Sequence, residues 1–157
     1  MSELVFSTAL GNLIIKEESG SIVAIGFTDQ AEMDNSSTLL IEAKKELKQY
    51  FTGERQDFTI PINPIGTEFQ KNVWDELRRI GYGQTISYQE LANRLGDPKS
   101  IRAAGTANGK NPIAIIIPCH RVIGSDGSMT GYAGGIDKKR SLLKIEGAAV
   151  MNQMDIF

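Results

Sequence analysis

The stretch Pro61-Ile62-Asn63-Pro64-Ile65-Gly66 constrains this chain more than any other. Two prolines, an asparagine and a glycine in six positions break both helix and ladder hydrogen bonding. The hydrophobic period differs on its two sides. Before it, Leu4–Thr8, Leu13–Ile15 and Ile22–Phe27 are short, β-branched or aromatic runs separated by Gly11-Asn12 and Ser19-Gly20, the pattern of a β-meander. A helix is predicted over Thr38–Phe51, with Leu40, Ala43, Leu47 and Phe51 on one face, Ser37 as cap and Gly53 past its end. Phe58–Ile62 is a candidate fourth strand. After the break the period becomes helical. Thr67-Glu68-Phe69-Gln70 has capping-box form and leads into a stripe of Phe69, Val73, Trp74, Leu77 and Ile80. Gly81-Tyr82-Gly83 ends it. Ser87-Tyr88-Gln89-Glu90 is a second capping box, opening a helix through Leu95. Gly96 stops that helix, and Asp97-Pro98 starts another that runs to about Ala107. Two short helices joined by a tight glycine turn form a helix-turn-helix pattern. We therefore place a boundary at Gly66, with residues 1–66 and 67–157 as two small domains of an α/β (α+β) protein. The tail after Gly147 reads as loosely held, with Ile156 and Phe157 as candidates for docking.

Among the 157 residues are one cysteine and one histidine. An internal disulfide is excluded, and so is a zinc site of the usual four-ligand Cys/His type. No apolar run approaches the roughly 20 residues of a membrane helix. Met1–Leu10 carries Glu3 and no basic start, so it does not read as a secretory signal, and a cytoplasmic location is expected. Charge is unevenly spread. Residues 1–66 hold five Lys/Arg and ten Asp/Glu, whereas residues 67–147 hold twelve and eight. A basic module beside an acidic one suits a polyanion bound on one side, and it equally suits ordinary surface charge.

The chemistry concentrates where the lone cysteine meets the lone histidine. Ile113–Ile117 reads as a buried strand that Pro118 must end or bend, and Cys119-His120 follows directly. Free cysteines are most often small core residues, and a histidine beside one is most often a satisfied imidazole. Their adjacency after an Ile-Ile-Ile-Pro bend favours a reactive thiol, because thiolate is the nucleophile and a nearby base generates it near neutral pH. On an extended chain the two side chains point to opposite faces, so a bridging water would have to connect them. The second helix of the pair reads Arg102-Ala103-Ala104-Gly105-Thr106-Ala107. Its small residues permit close approach either to a DNA groove or to a neighbouring helix. Arg102 is its one long side chain.

These residues closely resemble the O6-alkylguanine-DNA alkyltransferase family, also called methylated-DNA–protein-cysteine methyltransferases. The match centres on Pro118-Cys119-His120-Arg121-Val122. It extends through Trp74, Tyr82-Gly83, Ser87-Tyr88, Leu91-Ala92, Arg102-Ala103, Asn111-Pro112, Gly131-Tyr132, Gly134-Gly135, Lys139, Leu142-Leu143 and Glu146, from Phe69 to Gly147. The resemblance implies a ribonuclease-H-like N-terminal domain and a winged-helix-like C-terminal domain that carries the active site. It implies that Cys119 accepts an alkyl group from O6-alkylguanine, or from O4-alkylthymine, in duplex DNA, in a single-turnover (suicide) reaction. His120 would deprotonate Cys119 through a water, with Glu146 holding the imidazole. Asn111 would brace the active-site turn, and Tyr88 would donate to the flipped base. Arg102 would fill the gap left in the duplex, approached from the minor groove. Ala103 and Gly105 would lie against that groove, and Gln89 and Ser125 near the DNA backbone. Val122, Tyr132, Ala133 and Gly134 would line the base pocket. Position 133 is Ala where some relatives have Ser, so any hydrogen bond to the base there comes from backbone. The zinc ligands of some relatives are absent. No cofactor and no metal are expected, damaged double-stranded DNA is the expected partner, and the free protein is expected to be monomeric. The rival readings are a damage-binding relative without transfer, a sequence-reading winged-helix regulator and a cysteine hydrolase.

Overall fold

Three antiparallel strands open the computed structural model, which describes residues 1–148: β1 (Ser2–Thr8), β2 (Gly11–Glu18) and β3 (Ser21–Phe27), in the order β1-β2-β3. Each strand buries consecutive residues, such as Leu4-Val5-Phe6 and Leu13-Ile14-Ile15, so both faces are covered. The outer edges are covered too. Val5 exchanges both backbone hydrogen bonds with Met33. On β3, Ile22 bridges Ile62 and Ile25 bridges Ile113, both parallel. The expected strand at Phe58–Ile62 is therefore not formed. Only Ile62 pairs, and Pro61, which has no N–H to donate, contributes its carbonyl to Ile22 N.

Helix α1 spans Thr38–Phe51, as the periodicity predicts, and the Ser37 hydroxyl accepts from Leu40 N. Its inner face differs from the expected one at the end. Tyr50 is fully buried and Phe51 only partly, because the 3–4–3 spacing from Leu40 through Ala43 and Leu47 reaches Tyr50. These elements and residues 112–116 make one compact unit, Met1–Ile65 with Pro112–Ile116. The return of 112–116 is a departure from the single division at Gly66. The Ile25–Ile113 bridge accounts for it.

The remaining described residues make a second unit. Helix α2 (Glu68–Leu77) opens with the full capping box of Thr67 and Gln70. Trp74 Nε1 donates to the Ala107 carbonyl at 2.9 Å in the interior. A side chain at Gly66 would sit 2.4 Å from the Trp74 ring, which restricts that position to glycine. Phe69, expected in the stripe, is 39% exposed, and Ile80 is buried beyond the helix end. Strand β4 (Ile86–Ser87) pairs in parallel with β5 (Val122–Ile123). Helix α3 (Tyr88–Arg94) has only half of its expected capping box. Ser87 accepts from Glu90 N, while the Glu90 carboxylate turns to Arg94 Nε at 3.3 Å. A 3₁₀ turn at Pro98–Ser100 separates the Asp97 cap from α4 (Ile101–Gly109), where one continuous helix is expected. Helix α5 (Ile136–Ile145) follows. No helix of the described residues is long and apolar enough to cross a membrane. The reading of the tail, including Ile156 and Phe157, lies outside the described residues.

Candidate active site

The apolar run before Cys119 is buried but is not a strand. Ile113 alone bridges the sheet, and Ile115 adopts φ +74°, a region that β-branched side chains almost never enter. Two narrow turns follow, Ile116 N to Ala114 O at 2.9 Å and Cys119 N to Ile117 O at 2.8 Å. An apolar run cannot reveal a left-handed residue inside it, which is why periodicity reads this stretch as extended. Asn111 Nδ2 donates to the Ile117 carbonyl at 2.6 Å and so closes the loop on itself. Cys119-His120-Arg121 then forms a 3₁₀ turn, whose successive side chains diverge by about 120°. Cysteine and histidine thus face different surroundings.

His120 is fully buried, and its Nε2 lies 2.7 Å from Glu146 Oε2. Arg121 donates to the same carboxylate from Nε at 2.8 Å and from Nη2 at 3.0 Å, and its Nη1 donates to the Ile80 carbonyl at 2.6 Å. Gly83 N adds a donor to Glu146 Oε1 at 3.2 Å. One carboxylate therefore meets two side chains that can carry positive charge, all withdrawn from water. Burial holds the imidazole below its ordinary value of 6.5, against the opposing pull of Glu146. A neutral His120 is a competent proton acceptor. Its second nitrogen, Nδ1, is buried with no hydrogen-bond partner among the described residues.

Burial raises the Cys119 thiol. A hydrogen bond from Asn111 and the charge of Lys139 pull it back down. Lys139 is itself fully buried and is pushed down to about 8 by desolvation. Its ammonium donates to the Thr130 carbonyl at 2.6 Å and lies 5.8 Å from the centre of the Tyr88 ring. The Tyr88 hydroxyl donates to that same carbonyl at 3.1 Å. Burial raises Tyr88 and, more strongly, Tyr132, whose hydroxyl is buried without a partner among the described residues.

The other expected site residues fall into two groups. Arg102 and Ala103 are exposed on α4, while Ala104 and Ala107 are buried beneath, so the small residues of this helix serve both packing and an open face. Gly105 lies between, with space for a side chain only against the Tyr88 ring at 3.6 Å. Gln89 bonds Asn93 and the Pro98 carbonyl. Ser125 is exposed in the turn after β5, Val122 is fully buried in β5, Ala133 is exposed and Gly134 is half-buried. Two contributors carry no expected role, Arg121 and Lys139. The signal for Lys139 is its spacing from Leu142 and Leu143, which places it on the inner face of α5. Arg121 stands in the run on which the family resemblance centres, but nothing in the sequence points to its pairing with Glu146.

With this geometry in view, family models match both parts of the chain. Residues 68–148 match the DNA binding domain of 6-O-methylguanine DNA methyltransferase, and residues 1–64 its ribonuclease-like domain. The chain belongs to the 6-O-methylguanine DNA methyltransferase family. It is similar to the methylated-DNA–protein-cysteine methyltransferase of Methanosarcina acetivorans, at 55% identity over 68% of this chain and 69% of that one. The constitutive enzyme of that name from Bacillus subtilis is 43% identical over 88% and 91%. Among solved structures, the O6-methylguanine methyltransferase of Mycobacterium tuberculosis superposes with a TM-score of 0.84 at 37% identity, over 99% of this chain and 98% of that one. The same organism's OGT in complex with DNA gives 0.84 at 40%, over 91% of each. Family membership agrees with the expected mixed α/β fold, a ribonuclease-like module followed by a helical one.

Proposed function

We propose that this chain repairs alkylated duplex DNA by moving an alkyl group from O6 of guanine onto Cys119. Relatives 43–55% identical over the aligned residues are named as methylated-DNA–protein-cysteine methyltransferases, and one structural neighbour is bound to DNA. The observation that carries the reading is the set Cys119, Asn111, His120 and Glu146, gathered around one buried turn. The target oxygen lies inside the duplex, so the base is flipped out, at a cost of a few kcal/mol that is smaller for a damaged base. Arg102 fills the hole, Ala103 and Gly105 lie against the minor groove, and Gln89 and Ser125 meet the backbone. Val122, Tyr132, Ala133 and Gly134 form the pocket.

The thiol proton passes through a water to Nδ1 of His120, and Glu146 stabilises the imidazolium. The sulfur–carbon bond forms as the carbon–O6 bond breaks. Tyr88 releases the Thr130 carbonyl and donates its hydroxyl proton to the departing base, and the proton held on the imidazolium returns through water to the phenolate, so guanine leaves neutral. The product is a thioether, which offers water no carbonyl to attack, so each chain acts once. The residues given these roles all belong to the second unit, and the first unit supplies none of them. The protein works as a cytoplasmic monomer on DNA, without cofactor or metal. Intact-protein mass spectrometry after mixing with a duplex bearing one O6-methylguanine tests this. One methyl mass per chain, on Cys119 and without turnover, is the expected result. Tight lesion binding without mass gain would replace transfer with damage recognition, and repeated ester or peptide cleavage would replace it with a hydrolase.

A further inference from the structure

The N-terminal unit contains none of the residues discussed for alkyl transfer, yet its positive charge is segregated. Residues 1–65 hold five basic side chains against ten acidic ones. Two of the five are paired: Lys16 with Glu3 at 3.5 Å and Arg55 with Glu46 at 3.5 Å. The other three, Lys44, Lys45 and Lys48, form no ion pair among the described residues, and all three line one groove of about 520 Å³. That volume falls within the range of small-molecule sites, about 300–1,000 Å³. With Ile41 they follow the i, i+3, i+4, i+7 spacing of one helix face. Ile41 is 50% exposed at this groove, and Leu4 of β1, only 2% exposed, lies at its floor. Asp34 is its one carboxylate.

Like charges one turn apart repel, and an exposed isoleucine among them gains nothing from water. A ligand with an apolar body and an anionic head relieves both. We propose that this groove on α1 and β1 is a binding site for a small anionic amphiphile, an aliphatic or aromatic body that carries a carboxylate, sulfonate or phosphate. The apolar body lies along Ile41 over the buried Leu4, and the head is held by Lys44, Lys45 and Lys48. The Asn35 amide and the Gln49 amide oxygen are already occupied. Asn35 donates to the Glu3 carbonyl and accepts from Ser37 N, and Gln49 accepts from Arg55. Recognition rests chiefly on charge and apolar contact. The site is independent of alkyl transfer.

The test uses the full chain and the fluorescent probe 1-anilinonaphthalene-8-sulfonate. One probe should bind per chain, be displaced by decanoate and by decyl phosphate, and bind more weakly as salt rises. Replacing Lys44, Lys45 and Lys48 together by Gln should weaken binding about tenfold, the sum of three exposed charges. Ile41→Gln alone should weaken it about threefold, since only part of one side chain is involved. Both variants should keep the circular dichroism spectrum and the rate of methyl transfer. Unchanged probe affinity in both folded variants would overturn the site. Displacement by an Asp/Glu-rich peptide with a central Phe, but not by decanoate, would overturn the small-molecule assignment and make the groove a docking surface for a partner segment.

Discussion

Each unit buries a glutamate among donors, and the two carboxylates do different things. Glu46 in α1 accepts from the backbone N–H and hydroxyl of Thr59, with Arg55, 26% exposed, at 3.5 Å. It ties the segment after the helix back to the helix, and its counter-charge remains in contact with water. Glu146 faces His120 and Arg121 with its side chain wholly inaccessible. Its partners cannot turn to solvent if it is lost. The first arrangement is a structural tie, with two neutral donors and a charge that still meets water. The second concentrates charge in a dry place, where a proton transfer beside it is felt strongly. Burial of the same residue type therefore says little until the partners are known.

Cys119→Ala should abolish methyl transfer by mass spectrometry while unfolding free energy in urea moves by less than about 1 kcal/mol, since only a sulfur is removed. Surviving transfer would move the acceptor elsewhere. Glu146→Gln should cost about 3–5 kcal/mol, because the Arg121 charge is left buried without its partner. Glu46→Gln should cost only about 1–2 kcal/mol, the worth of altered hydrogen bonds beside a partly exposed arginine. Equal losses in urea would erase the distinction between the two carboxylates. Arg102→Ala should slow repair of a duplex roughly 10- to 100-fold and leave reaction with free O6-benzylguanine near the parent rate, since only the duplex demands flipping. Equal slowing on both would remove the finger role.

Lys139→Met carries a signed pH dependence. The folded lysine sits at about 8 against 10.5 unfolded, so below pH 8 the folded state bears the full cost of a buried cation. The variant should be more stable there, by roughly 1–2 kcal/mol after loss of the bond to Thr130. That advantage should shrink as pH rises from 8 to 10.5, where the unfolded lysine also loses its proton. Transfer should slow, because the charge that favours the Cys119 thiolate is gone. A constant stability difference across this window would refute the assignment. The smallest effect concerns Ile115. Ile115→Gly should cost about 1–2 kcal/mol less than Ile117→Gly, because glycine relieves the φ of +74° only at the first position.

The sequence made local events legible and left convergent ones hidden. The capping box at Thr67, the cap at Ser37 and the glycine stop at Gly96 are short-range chemistry, and each formed where the residues required. The half-formed box at Ser87 failed because Arg94, one turn on, competed for Glu90. The run Ile113–Ile117 misled because burial and backbone angle are separate properties, and hydrophobicity reports only the first. Within the site, adjacency made Cys119 and His120 stand out. Glu146 lies 26 residues beyond His120, so no period connects them, and only the family resemblance pointed to it. The second role of that carboxylate, as counter-ion to Arg121, had no signal at all.

The return of residues 112–116 to the first unit has a consequence for how the protein is made. A ribosome that has released residues 1–65 has delivered all three strands and α1, but β3 still exposes Ile25 N–H and C=O, whose partners are Pro112 and Ala114. The N-terminal unit is finished only after α2, α3 and α4 have emerged. Its final assembly is therefore timed by translation of the other unit. The same event fixes the five residues between Asn111 and Ile117, the two ends that the Asn111 side chain joins. The nascent protein thus completes its first sheet and closes its reactive turn only after residue 117 has emerged.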